Sequence, residues 1–527
     1  MNAFDMHCQL DLVRRVGLLV AMACIVAACT TPPTAPPPRG APGVARAPAA
    51  TGPLADVEAV VVQVQGPGFS GFRLLESNED GLRWRLALID SAQQSLDLQY
   101  YTWWGDEGGT LLMKRVVEAA DRGVKVRLIL DDLSTVLVDE THPKVRDQAA
   151  ALIDSHPNIE IRLFNAWQER SSLFSRGVEG LARMERINHR MHAKLLVADN
   201  RATIVGGRNI GNEYLGLSPD FNFRDLDVLG IGPVARQASA VFDKFWNSEW
   251  VVPVSALGID KGPQGLKAQS APVSRELQVA PALQGFTLDT QAWQDELAQA
   301  APRMHGGRSS MHSDSPDPGQ LTHHMPAAIR KLVGTAQREV LIANAYIIPD
   351  EAAIADLRSL TARGVKVRIL TNSLASHDVP AVNSHYKQWR KRLLEAGVDL
   401  YEVRHDAATK GQFADTPPTI SAFMGFHVKA MVIDRERVFI GSMNLDTRSA
   451  AINSEMGVIV DSASLAQALA ASTERDMLAA NAWHVTLAPD GSVRWTAGDR
   501  VLDTQPARNS WQRVEDVIFM AFPRDLY

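Results

Sequence analysis

A hexapeptide written twice sets the first limit on what this chain can fold into. Arg122-Gly123-Val124-Lys125-Val126-Arg127 returns letter for letter as Arg363-Gly364-Val365-Lys366-Val367-Arg368, each time after a helical pattern and before a short apolar strand. A duplicated α/β unit is the simplest cause. In the first copy Leu82, Leu86 and Ile89 share a helix face, Leu96, Leu98 and Tyr100 alternate as a strand, Leu112 to Ala120 read as helix and Val124 to Leu130 as a buried strand. The second copy repeats the order with Ile329 to Ala336, Val340 to Tyr346, Ile354 to Ala362 and Val365 to Leu370, and Ile159, Ile161 and Leu163 find counterparts in Val398, Leu400 and Val403. Alternation at this spacing predicts an α/β fold of two halves, each a sheet covered by helices.

The chemistry is also written twice. His192-Ala193-Lys194 is followed by Asp199, Gly206, Gly207 and Asn209; His427-Val428-Lys429 is followed by Asp434, Gly441, Ser442 and Asn444. The offsets from each histidine are identical, and four prescribed positions after a given His match by accident on the order of once in 10⁵. In a strand, positions i and i+2 project from one face, so each His stands beside its Lys. Two facing copies would gather two imidazoles and two ammonium groups in one cleft, which suits a phosphodiester. The lysines neutralise phosphate oxygens, while the turns bearing Gly207, Asn209, Ser442 and Asn444 permit close approach and supply donors to phosphate. One neutral imidazole attacks phosphorus and the other, protonated, serves the leaving alkoxide. The chemistry calls for no metal and no cofactor.

Each histidine needs an acceptor on its other ring nitrogen. Glu455, just before the apolar run Gly457 to Val460, is expected to orient His427, and Asp227, just before Val228 to Gly230, to orient His192. These carboxylates are expected to favour the imidazolium and keep the acid partner charged near neutral pH. Asp199 and Asp434 complete the repeated catalytic set, but their turn-like contexts favour closing the turn over moving a proton.

The N-terminal segment bears on where the chain works. All three cysteines, Cys8, Cys24 and Cys29, lie at the start, which excludes disulfides and zinc–cysteine sites from the folded body. Arg14 and Arg15 precede an apolar run from Val16 to Ala28, too short to span a bilayer but suited to a signal peptide. Val26-Ala27-Ala28-Cys29 resembles a bacterial lipoprotein box, in which Cys29 is lipidated. The eight prolines between Thr30 and Leu54 read as a tether. Between the copies, Met304 to Pro326 reads as a mobile loop whose His305, His312, His323 and His324 fit no compact metal set. Trp483, Val485 and Leu487, a Pro489-Asp490-Gly491 turn, then Val493 and Trp495 predict a C-terminal hairpin, followed by a helix with Trp511, Val514 and Ile518 on one face. A net charge of -6 argues against a nucleic-acid partner.

With these motifs in hand, the chain resembles the phospholipase D superfamily, whose paired HxKxxxxD motifs both copies match. The stretches Gly207 to Tyr214, Asn222 to Asp227 and Phe242 to Glu249, and the final segment Trp511 to Tyr527, look like the shorter bacterial cardiolipin synthases that lack paired N-terminal transmembrane helices. The resemblance implies two α/β halves around a pseudo-twofold, one active site at their interface, a phosphohistidine intermediate and phosphatidyl transfer between glycerophospholipids; hydrolysis by a phospholipase D-type phosphodiesterase is the alternative. The expected layout is a signal peptide (1–28), a tether (29–54), two phospholipase D-like domains (55–255 and 326–475), a connecting segment (256–325) and a C-terminal hairpin and helix (476–527). The chain is expected to be a monomer, lipid-anchored with its catalytic domain outside the cytoplasm, and to meet phospholipid at a membrane surface.

Overall fold

The computed structural model describes residues 38–132, 143–167, 170, 184–262, 265–286, 290–317 and 323–521. The leader and Cys29 lie outside them.

Two sheets of one design are joined edge to edge. The first runs β1 (Ser70–Leu75), β8 (Asp227–Ile231), β6 (Ala202–Gly206), β5 (Leu195–Ala198), β2 (Ser95–Tyr100), β3 (Lys125–Asp131), β4 (Ile159–Phe164), β9 (Val251–Pro253). Its counterpart runs β10 (His305–Ser313), β17 (Met456–Asp461), β16 (Arg437–Gly441), β15 (Lys429–Ile433), β11 (Glu339–Asn344), β12 (Lys366–Asn372), β13 (Asp399–Val403), β18 (Ala482–Leu487). In both, only the β2–β3–β4 or β11–β12–β13 trio is parallel. The middle strands β3 and β12 begin within the repeated hexapeptide, and crossover helices cover the trios, so β2 is buried along its whole length. Those helices start where a side chain caps them: Asp106 accepts from Gly109 N at 2.9 Å and Asp350 from Ala353 N at 2.7 Å.

β1 pairs with β10, which continues onto β17 and fuses the sheets. Residues 305–313 therefore correct the loop expected over Met304 to Pro326. The strand reads His-Gly-Gly-Arg-Ser-Ser-Met-His-Ser and lacks apolar alternation because most of its residues are half exposed. A Cβ at Gly306 would run into Gln65, and one at Gly307 into Val460, so the glycines mark a close approach rather than a turn.

A second correction falls on the tether. From about Gly40 the Pro-rich segment is strapped onto the first half: Gly43 N donates to Asn247 Oδ1 at 2.9 Å, Arg162 Nη2 to Ala41 O at 2.7 Å, and Arg201 Nε to Ala49 O at 2.9 Å. Body side chains satisfy a backbone whose own side chains have little to bury. A helix then begins at Pro53 (Pro53–Gln65).

The C-terminal hairpin forms as expected, with Leu487 opposite Val493 and β19 (Val493–Ala497) returning to β20 (Arg500–Leu502). A shared core lies where the halves face each other, taking Phe72, Leu195, Val197 and Phe242 from one and Leu341, Val432, Ile440 and Leu465 from the other.

Candidate active site

His192 lies in the extended run feeding β5, and His427 in the run feeding β15. Each histidine is held by the opposite half. His192 N donates to Ser454 O at 3.0 Å, and His427 N to Arg224 O at 2.9 Å. The residue after each of those acceptors is a carboxylate. His192 Nδ1 lies 3.0 Å from both oxygens of Glu455, and His427 Nδ1 lies 2.7 Å from Asp225 Oδ2. Short parallel pairing of β7 (Phe221–Arg224) with β14 (Phe423–Phe426) brings the second of these unions into register.

The orienting acids expected from sequence are thereby corrected. Glu455 serves His192 rather than His427, and the partner of His427 is Asp225 rather than Asp227. Asp227, fully buried, instead accepts from Arg85 Nη1 at 2.9 Å and Arg208 Nη1 at 3.0 Å and ties down the turn after β6. Adjacency along the chain suggested partners within a half, whereas the pseudo-twofold exchanges them. The register was the available signal: Gly206 pairs with Asp227 and Gly441 with Gly457, which makes Asp225, two residues earlier, the match of Glu455.

The lysines behave alike. Lys194 Nζ donates to His192 O at 2.6 Å and Lys429 Nζ to His427 O at 2.7 Å, so each ammonium lies on its histidine's side of the strand, and both are buried. Desolvation lowers both pKa values, that of Lys429 to about 8 despite the carboxylates of Asp225 and Asp378.

Asp199 and Asp434 stand apart from this chemistry. Asp199 accepts from the backbone N–H groups of Gln93, Gln94 and Ser95 at 2.7–2.9 Å, and Asp434 from those of Gln337, Arg338 and Glu339 at 2.7–3.0 Å. Each occupies a left-handed turn, with φ of 52° and 54°, and clamps the helix-to-strand link of its half. Their place in the catalytic set is corrected to the structural role that their turn contexts suggested.

Of the expected phosphate ligands, Ser442 donates its Oγ to Glu455 Oε2 at 2.5 Å and so supports the orienting acid. A Cβ at Gly207 would collide with the Asp225 carboxylate. Asn209 accepts from Thr102 N at 3.3 Å, whereas the buried Oδ1 of Asn444 has no partner. Sequence reasoning missed the aromatic wall: Tyr101 stands edge-on to His192 at 5.2 Å, Tyr214 edge-on to His427 at 5.3 Å, and Tyr346 donates to Asp378 at 2.7 Å and stacks on His377.

Burial holds both imidazoles below their ordinary value of 6.5, His192 at about 4, with the lysine charges adding to the effect and the carboxylates opposing it. The expectation that the carboxylates keep one imidazole charged at neutral pH is not met by these surroundings, because desolvation outweighs the carboxylates. Glu455 and Asp225 stay ionised, accept Nδ1–H, and leave Nε2 of each ring for substrate. Among the described residues no group of three or more His, Cys, Asp or Glu is arranged to hold a metal.

The family model described as "Cardiolipin synthase, PLD-like domain" matches residues 86–246 and 329–477, one segment in each half. This chain belongs to that family. Cardiolipin synthase C of Escherichia coli is 34% identical over 461 residues, covering 85% of this chain and 94% of that protein. An uncharacterised protein of Helicobacter pylori is 32% identical over 429 residues, covering 80% and 82%. Among solved structures, the phosphatidylserine synthase of Haemophilus influenzae shares the fold, with a TM-score of 0.53 at 12% identity over 80% of this chain and 90% of that one.

Proposed function

We propose that this protein is a phosphatidyltransferase of the cardiolipin synthase type, moving a phosphatidyl group from one glycerophospholipid to an alcohol of another. The observation that carries the reading is the exchanged pair of carboxylate-oriented imidazoles with two buried lysines beside them. His192 Nε2 attacks phosphorus, the N–P bond forms as the P–O bond to the leaving alkoxide breaks, and that alkoxide takes a proton from His427. The acceptor alcohol then returns its proton to His427 as its oxygen attacks phosphorus and the N–P bond breaks. Roles are assigned this way because burial takes His192 down to about 4 despite Glu455, whereas at His427 two carboxylates, Asp225 and Asp378, stand against burial and the Lys429 charge. The arriving phosphodiester anion raises the pKa of His427, which then takes up its proton from solvent. One phosphodiester replaces another, so no nucleotide has to drive the exchange.

Lipidation at Cys29, a catalytic domain outside the cytoplasm of a bacterial cell, a monomeric state and phospholipid rather than nucleic acid as partner complete the reading. Labelled palmitate should enter the protein only when Cys29 is present; equal labelling of Cys29→Ser would overturn the anchor. For the activity, purified protein is incubated with phosphatidylglycerol and phosphatidylethanolamine, with and without EDTA. Cardiolipin formed in both supports transfer; phosphatidic acid alone would overturn it in favour of hydrolysis.

A further inference from the structure

The C-terminal helix Ser510–Ile518 is built inside out. Its polar residues face the protein: Gln512 Nε2 donates to Leu374 O at 3.1 Å, and Asp516 accepts from Asn383 Nδ2 at 2.6 Å, Lys387 Nζ at 2.6 Å and Gln505 Nε2 at 2.8 Å. Its apolar residues face out. Trp511 is 62% exposed, Val514 44%, Val517 60% and Ile518 51%, and Met520 in the following turn is 44% exposed. Positions 511, 514 and 518 follow the i, i+3, i+7 spacing of a single stripe. Exposed apolar side chains scattered singly are ordinary, but five on one short segment form a patch that asks for an occupant.

We propose that this face is the surface by which the catalytic domain docks onto a phospholipid bilayer, a proposal that rests on the phosphatidyltransferase reading. Three observations favour a membrane. First, the helix is bonded to the wall of the active site. Gln512 and Arg508 reach the carbonyls of Leu374 and Ala375, in the loop whose His377 and Asp378 contact Tyr346 beside His427. A docked helix therefore sets this wall of the site against the lipid that the enzyme must take up.

Second, the apolar character continues past the helix. Arg508 covers Phe423 at 3.7 Å, Phe423 stacks on Phe221 at 5.1 Å, Phe221 meets Phe223, Phe223 meets His427, and Ile420, three residues before Phe423, is 81% exposed. Exposed Arg513 flanks the stripe on one side and offers a cation to anionic headgroups, while half-buried Glu515 lies on the other side. Third, the five side chains expose roughly 500 Å² between them, short of the ~800 Å² per partner of a stable protein interface. Immersion in the headgroup region has no such threshold. Among the described residues no helix is long and apolar enough to cross a membrane, so contact through a surface is what they offer.

The test uses the full chain with Cys8, Cys24 and Cys29 replaced by Ser, so that no lipid anchor contributes, and with Val517→Cys carrying an environment-sensitive fluorophore. Phosphatidylcholine vesicles should shift its emission to the blue and raise it several-fold, more so when phosphatidylglycerol is included. Adding Trp511→Asp and Val514→Asp should abolish the response. Those two substitutions in the parent chain should cut turnover of vesicle lipid at least tenfold while sparing turnover of a monomeric short-chain phospholipid. No emission change with either vesicle overturns the proposal. A change without vesicles, rising with protein concentration alongside a doubled mass by light scattering, assigns the face to a second copy and also overturns it. A fluorescence response from a protein that makes no cardiolipin would keep the docking face and refute the activity instead.

Discussion

In the first half the residue packed against an orienting carboxylate is Gly207; in the second it is Ser442. Gly207 leaves space where any side chain would strike Asp225, so the short acid sits against the backbone, accepting Leu226 N and the ring of His427. Ser442 instead donates to the longer Glu455, which also receives His192. The halves agree in their lysines, each back-bonded to its histidine, and in the aspartates that clamp matched turns away from the rings. They differ around the rings. Part of the Glu455 charge is engaged by Ser442, whereas His427 has a second carboxylate nearby, Asp378, which Tyr346 and His377 also engage. A symmetric scaffold thus holds two imidazoles in different surroundings, as one nucleophile and one acid would require.

The sharpest way to break this comparison is to remove each ring. His192→Ala and His427→Ala should each lower kcat/KM by about 10⁴ or more, because they belong to one centre. Half activity in each would mean two independent sites. A p-nitrophenyl phosphodiester, whose leaving group needs little protonation, should partly restore His427→Ala and leave His192→Ala inactive; the opposite pattern would exchange the roles.

Replacing the acids comes next. Asp225→Asn and Glu455→Gln should each cost about 10²–10³ in kcat, by analogy with loss of an orienting carboxylate. The pH profile separates them. In the free enzyme the nucleophile must be neutral, so the acidic limb of kcat/KM should lie near the His192 value of about 4, and the acid must be protonated, so the alkaline limb should begin below 6.5. Asp225→Asn removes a charge that favours the imidazolium, so the alkaline limb should move to lower pH; Glu455→Gln should move the acidic limb lower instead. The limb of kcat should lie higher than that of kcat/KM, since bound phosphodiester stabilises the charged ring. Coincident alkaline limbs would count against this.

Smaller effects test the residues that are structural in this account. Asp227→Asn leaves Arg85 and Arg208 buried without their anion and should cost about 3–5 kcal/mol of stability, read as a fall in Tm, while kcat per folded molecule stays within a few-fold. Asp434→Ala, which strands three backbone N–H groups, should cost about 2 kcal/mol with similarly little effect on kcat. A loss of kcat without a loss of Tm in either variant would return that residue to the chemistry.

The repeat made much of this legible. Strands β2, β3, β11 and β12 and their crossover helices stand where periodicity put them, as do both His–Lys pairs, because buried strands and repeated spacings are local properties. β10 escaped because its glycines and serines serve close contact with neighbouring strands, although the second half lacked a counterpart for β1 and the repeat called for one. The carboxylate partners escaped for another reason. Nothing in the order of residues reveals that a pseudo-twofold sets Ser454-Glu455 against His192 and Arg224-Asp225 against His427. The aromatic wall, drawn from Tyr101, Tyr214 and Tyr346, has no repeated spacing to betray it.

The central claim is that each half orients the histidine of the other, and the titration of the individual rings tests it most directly. With ¹⁵N-labelled histidine, Glu455→Gln should lower the pKa of His192 and leave that of His427 in place, and Asp225→Asn should do the reverse. A Glu455→Gln protein in which His427 shifts and His192 does not would contradict the exchange.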